Sequence, residues 1–114
     1  MSLSIDEFKC KGENCCGGKV IIDSEFFALA RRARRVSNYP YVITSGYRCE
    51  KHNQEVGSTS RNHTSGKAMD IQATSDLARI KILTGLFAAG FKRIGISKNF
   101  IHADTMIGEA CWLY

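Results

Sequence analysis

The residues whose types and spacing carry chemistry are His63, Asp70, His102 and Asp104. His63 and Asp70 flank Gly66 in the stretch from Asn62 to Ile71, and His102 and Asp104 follow in a second, mostly apolar stretch that begins at Phe100. Two imidazoles and a carboxylate on short apolar segments are the donor set of a catalytic zinc site, which uses three protein ligands and leaves the fourth position open. Such a centre keeps a net positive charge, so it acidifies water and polarises a peptide carbonyl. A lone histidine is more often a surface or hydrogen-bonded residue than a ligand, and His52 is read that way. His63 and Asp70 alone would be a weak signal. The addition of His102, Asp104 and the run Ser45, Gly46, Tyr47, Arg48 makes coincidence a poor account.

These residues need elements to hold them. Ser4 caps a short helical turn over Ile5 to Phe8, and a Cys/Gly-rich loop follows. Asp23 and Ser24 are good N-cap residues for a helix carrying Phe26, Leu29, Ala30, Ala33 and Val36 at three- and four-residue steps, with a basic outer face. Asn38, Tyr39 and Pro40 end it, because the residue before a proline avoids helical geometry. Tyr41 to Thr44 reads as a strand, Glu50 to Val56 as a short helix stopped by Gly57, and Ser58 to Asn62 as a polar loop delivering His63. Lys67 to Gln72 alternates, which puts Ala68 and Asp70 on one face of a strand and Met69 and Ile71 on the other. Small residues at Gly66 and Ala68 would let the His63 loop pass close to that strand.

Ser75 caps a second long helix, Asp76 to Ala89, with Leu77, Ile80, Leu83, Phe87 and Leu86 expected as its buried stripe and Gly90 as its left-handed cap. Phe91 to Ile96 and Phe100 to Asp104 read as strands paired in a hairpin, and Gly108 to Tyr114 as a last strand or cover. Helices bracketing a small, mainly antiparallel sheet imply an α+β fold. At 114 residues the chain is expected to be one domain over residues 1–114, with residues 1–22 packed on it as a Cys/Gly-rich segment.

Composition is that of a globular protein, 44% hydrophobic and 24% charged, with no run long enough to span a membrane. The net charge is +5, concentrated at Arg31, Arg32, Arg34, Arg35 and at Lys92, Arg93. Aromatics are not interleaved with these basics as in a nucleic-acid stacking platform, so a solvated helix face or attraction to an anionic polymer such as a bacterial cell wall is the expectation. The start of the chain lacks the basic-then-apolar layout of a signal peptide. Synthesis in the cytoplasm, with action at the cell wall after release or delivery, is the expectation. The five cysteines are Cys10, Cys15, Cys16, Cys49 and Cys111. An odd count argues against a full disulfide framework. Reduced thiols or a single disulfide rank first, ahead of a structural metal held by Cys10, Cys15, Cys16 and Cys49, because the spacing fits no standard zinc pattern well.

The order Ser45-Gly46-Tyr47-Arg48, His52-Asn53, His63-x-x-Gly66-x-Ala68-x-Asp70 and Phe100-Ile101-His102-x-Asp104 resembles the zinc D-alanyl-D-alanine carboxypeptidase family, above all its short phage and bacterial cell-wall peptidases. The similarity runs from about Phe8 to Trp112. The resemblance implies that His63, Asp70 and His102 ligate one zinc ion. It also implies that Arg48 lies near the substrate and binds its carboxylate or the developing oxyanion, a role suited to a fixed donor fork. Ser45 and Tyr47, in the same turn, are expected beside the substrate.

Two positions depart from the family pattern. Arg61 stands where a serine usually precedes the first histidine, and Asn99 stands where many members carry an acid three residues before the last ligand. Asparagine cannot accept a proton from water. Asp104 is the nearest substitute, either as the base or as an acceptor orienting a ligand imidazole. Glu55 and Glu109 are more remote. The expected activity is zinc-dependent hydrolysis of peptidoglycan stem peptides, carboxypeptidase-like or endolysin-like, by a monomer with no nucleic-acid or membrane partner. The alternative is a non-catalytic zinc domain that binds wall fragments or a protein partner.

Overall fold

A computed structural model describes residues 3–58 and 60–114. Met1, Ser2 and Thr59, the last within the polar loop read as delivering His63, lie outside the described residues. A 3-10 turn at Ile5–Phe8 is followed by α1 (Ser24–Ser37), β1 (Ile43–Ser45), α2 (Glu50–Glu55), β2 (Ala68–Gln72), α3 (Asp76–Ala89), β3 (Arg93–Ile96), β4 (Phe100–Asp104) and β5 (Ala110–Leu113). The sheet order is β1-β2-β4-β3-β5, antiparallel throughout except for the β3–β5 pair at the edge. The architecture is α+β.

Local signals account for most boundaries. The Asp23 carboxylate accepts the Phe26 N–H at 2.9 Å to cap α1, and Asn38 ends that helix at φ 48°. The Ser75 hydroxyl caps α3, and Gly90 closes it at φ 108°. The first strand begins at Ile43 rather than Tyr41. Gly66 has φ 76°, and a Cβ there would stand 2.5 Å from the Ile21 carbonyl oxygen. The close approach it permits is therefore to the segment before α1, where the Asp23 N–H donates to the Gly66 carbonyl at 2.9 Å.

Alternation along the strands divides the sheet into two chemistries. Met69, Ile71, Ile94, Ile101 and Ala103 face the helices and are buried with Phe26, Ala30, Ala33, Ile82 and Leu86. The opposite face carries Asp70, His102 and Asp104.

The buried stripe of α3 differs from the expected one. Leu77, Ile80 and Phe87 are 59%, 59% and 54% exposed, Leu83 is half-buried, and the inward face is Ala78, Ile82, Gly85, Leu86 and Ala89. Val36 of α1 is likewise exposed, and Ser37 takes the inward position with its hydroxyl 2.7 Å from the Tyr41 phenol. The cause is the closeness of the two helices. A Cβ at Gly85 would collide with Ala33 and Ser37. Full burial of Ile82 and Leu86 contributes about 1.5–3 kcal/mol each, and only small neighbours let α1 come near enough to cover them.

Candidate metal centre

The site is a row of residues laid across the sheet. Register pairs Ser45 with Asp70, Asp70 with His102, His102 with Gly95 and Gly95 with Trp112, and directly paired residues share a face. Asp70 and His102 therefore stand side by side, and His63 reaches them from the loop before β2. Gly95 leaves the gap that the Trp112 indole fills, with its ring 5.4 Å from that of His102.

Hydrogen bonds indicate which atom each candidate ligand would present. The His63 Nδ1–H donates to the Gly46 carbonyl at 2.8 Å. A carbonyl only accepts, so Nδ1 carries the proton and Nε2 is left as the donor atom. That Nε2 lies 3.4 Å from Asp70 Oδ1. His102 Nδ1 lies 2.9 Å from the same Oδ1, while its Nε2 lies 2.6 Å from Asp104 Oδ2. The candidate donor atoms are His63 Nε2, Asp70 Oδ1 and His102 Nδ1, and a ligand set from these three residues lies within 4.8 Å. Ligands about 2.0–2.1 Å from a tetrahedral zinc stand about 3.3 Å apart, so this donor set fits zinc. The His102–Asp70 separation of 2.9 Å is that of a hydrogen bond.

Asp104 is fully buried and has three donors. His102 Nε2 meets one oxygen, while Arg93 Nε at 2.6 Å and the Met106 N–H at 3.0 Å meet the other. It stands across the imidazole from the candidate ligand atoms. Arg93 reaches it because β3 and β4 pair Arg93 with Asp104, and the guanidinium also covers the Trp112 ring at 5.4 Å. Arg93 was read in sequence as part of a solvated basic patch. Its side chain is instead 22% exposed and anchors the far end of the histidine network.

A cleft of about 280 Å³ opens over this row, lined by Arg48, Ser58, Ser60, Asn62, His63, Asp70, Phe100, His102 and Tyr114. Arg48 is brought there by its N–H, which donates to the His63 carbonyl at 3.1 Å. Its side-chain Nε is buried and makes no hydrogen bond among the described residues. Ser45 and Tyr47 do not line the cleft. The Ser45 hydroxyl lies 3.4 Å from His63 Nδ1, and Tyr47 is buried with its N–H on the Phe8 carbonyl. Asn99 is exposed in the turn before β4, and Glu55 lies near His52, 4.0 Å away. Glu109 is exposed. Tyr114 lines the cleft and Trp112 packs on His102, and no motif in the sequence marks either as a site residue.

The sequence profile described as peptidase M15 matches residues 1–104 of this chain. The chain belongs to the peptidase M15 family. No curated protein sequence matches it. At the level of the family, an M15 peptidase is a zinc metallopeptidase that acts on peptidoglycan. In this M15 chain the match ends at Asp104, the residue behind His102, so β5 with Trp112 and Tyr114 lies beyond the matched segment.

Electrostatics of this M15 site follow from its hydrogen bonds. Burial pushes the Asp70 carboxyl up, but hydrogen bonds from His102 and His63 outweigh it and hold the group at about 2. Burial pushes the His102 imidazole down, and its bonds to Asp104 and Asp70 raise it above 6.5 on balance. Burial likewise opposes ionisation of Asp104, and its bonds to His102, Met106 and Arg93 win. A depressed carboxyl contributes stability above 3.8 that is lost as pH falls toward its folded value, and a raised histidine contributes below 6.5 what is lost as pH rises through its folded value. Chelator-treated protein is thus expected to melt highest between pH 3.8 and 6.5, with Tm falling on both sides. Zinc held at His102 Nδ1 would compete with the proton there, so its stabilisation is expected to grow with pH. Melting curves with and without zinc check this, and a His102→Gln variant that kept the alkaline decline would contradict the assignment.

Proposed function

We propose that this chain hydrolyses the terminal peptide bond of peptidoglycan stem peptides, as a carboxypeptidase holding one zinc ion at His63, Asp70 and His102. The observation that carries the reading is the cleft in which Arg48 and the three candidate ligands meet. When bound, zinc supplies Lewis acidity that activates water and polarises the scissile carbonyl.

The chain's own residues do the rest. The Arg48 guanidinium offers a donor fork to a carboxylate, and its unpartnered Nε is a group that a substrate anion would satisfy. Burial lowers the pKa of Arg48, and the Asp70 charge counters it, so the cation is held in a partly desolvated site where an anion binds more tightly than in water. A free C-terminal carboxylate is the anion that a stem peptide ending in a D-amino acid presents, which favours carboxypeptidase over endopeptidase action. Burial raises the Tyr114 phenol, so it stays protonated and donates a hydrogen bond to a substrate oxygen. Gly46 fixes the tautomer of His63, and Asp104, backed by Arg93, fixes that of His102. This placement supports Asp104 as a positioning residue rather than the base.

A second reading has its own observation. Among the described residues lining the cleft, Asp70 is the only acid, and it belongs to the ligand set. A domain that holds zinc and binds a wall fragment without cutting it would look the same. Purified protein incubated with peptidoglycan, with and without a chelator, separates the readings. Chelator-sensitive release of terminal D-alanine, restored by zinc, is expected. New amino groups without free D-alanine would mean an endopeptidase, and no chelator-sensitive product from any wall chemotype would leave the binding reading standing.

A further inference from the structure

Outside the residues lining the cleft, four of the five cysteines come together. Cys10, Cys15 and Cys16 arrive on the N-terminal loop and Cys49 on the residue that caps α2, and all four sulfurs lie within 4.8 Å of one another. None forms a disulfide. Cys10 lies 3.8 Å from both Cys15 and Cys49, and Cys15 lies 3.8 Å from Cys16. A disulfide requires about 2.05 Å. Four thiolates about 2.3 Å from a tetrahedral zinc stand about 3.8 Å apart along each edge. We propose that Cys10, Cys15, Cys16 and Cys49 bind a second zinc ion in a structural tetrathiolate site.

The surroundings suit bound thiolates. The Cys49 N–H points to Cys10 Sγ at 3.5 Å and the His52 N–H to Cys49 Sγ at 3.4 Å, donors of the kind that stabilise metal-bound sulfur. A Cβ at Gly12 would stand 2.8 Å from Cys15 Sγ and 2.7 Å from the His52 ring, so the loop closes over the sulfurs only with glycine there. Binding converts four thiols and one divalent cation into a dianionic centre and four released protons. Lys9, Lys11, Lys19 and Lys51 lie on the same segments, as do Glu13 and Glu50. Lys51 also ties α2 to the loop by donating to the Asn14 carbonyl at 2.8 Å. Four soft thiolates in tetrahedral array select zinc or iron, with zinc the occupant of closed structural sites. The site clips the N-terminal segment to Cys49, the neighbour of Arg48.

The test uses the full chain carrying His63→Ala, so that it does not depend on the peptidase centre. This protein is expected to retain one zinc per chain and to release it when a mercurial blocks its thiols. Adding Cys16→Ser or Cys49→Ser should lower the content toward zero, whereas Cys111→Ser should leave it at one, since Cys111 lies outside the cluster. Should the cysteine variants fail to fold, cobalt substitution of the unmutated chain gives an independent reading, an intense thiolate-to-cobalt charge-transfer band in the near ultraviolet. Zinc-free His63→Ala protein with five freely titrating thiols, a disulfide among these cysteines, or iron in place of zinc would each overturn the proposal. Failure of peptidoglycan hydrolysis would not touch it.

Discussion

Replacing His63 or His102 by alanine is expected to remove the zinc bound at the cleft and, with it, turnover. A three-ligand site has no spare donor, and the remaining pair would be one imidazole and the Asp70 carboxylate. Lewis-acid activation accounts for several kcal/mol of barrier lowering, and each 1.4 kcal/mol or so is tenfold, so a drop of about 10³-fold or more follows. The two variants differ in what else they disturb. His63→Ala leaves the Gly46 carbonyl without its donor, whereas His102→Ala leaves Asp70 and Asp104 facing each other across an emptied position in the sheet. His102→Ala should therefore lose more stability, and its melting temperature should fall further. Zinc analysis after dialysis, with circular dichroism to show retained fold, decides the matter. Unchanged zinc content in either variant would sink the ligand assignment.

Much of this arrangement was legible from residue types and strand alternation. A hairpin with a two-residue turn at Lys98–Asn99 sets Ser97 opposite Phe100 and Ile96 opposite Ile101, hence Gly95 opposite His102 and Arg93 opposite Asp104. The Arg93 partnership was thus open to inference and was missed because a local run of basic residues was read as a surface patch. The inward face of α3 was harder. Apolar residues occupy most sides of that helix, so periodicity does not choose among them, and the choice rests on how closely α1 approaches. Trp112 and Tyr114 reach the site only because β5 adds in parallel beside β3, a pairing that no local pattern announces. The cysteine cluster was obscured in a similar way. Three of its members are neighbours in sequence, but the fourth comes from the far side of the Arg48 turn, and only the fold measures the spacing between sulfurs.

Asp104→Asn separates positioning from proton transfer, and its expected result is weakened zinc binding with turnover largely kept. The Asp104 carboxylate accepts from His102 Nε2, Arg93 Nε and the Met106 N–H at once. An asparagine can turn its oxygen to only one side. Its amide then presents N–H groups to a donor on the other, and the half-buried Arg93 guanidinium loses its countercharge. Loss of the acceptor behind a ligand histidine typically costs about 10- to 100-fold in metal affinity. A general base contributes about 10²- to 10⁴-fold to rate. With zinc held far above its weakened Kd, the variant should therefore turn over within about tenfold of the parent if Asp104 only orients His102. Loss of about 10²-fold or more at saturating zinc would make Asp104 the base instead. Charge neutralisation at Arg93 supplies the control. Arg93→Gln leaves the Asp104 carboxylate on His102 but removes its anchor, so it should shift zinc affinity in the same direction by less. Equal effects at the two positions would mean that the ion pair with Arg93, rather than the bond to His102, is what holds the ligand in place.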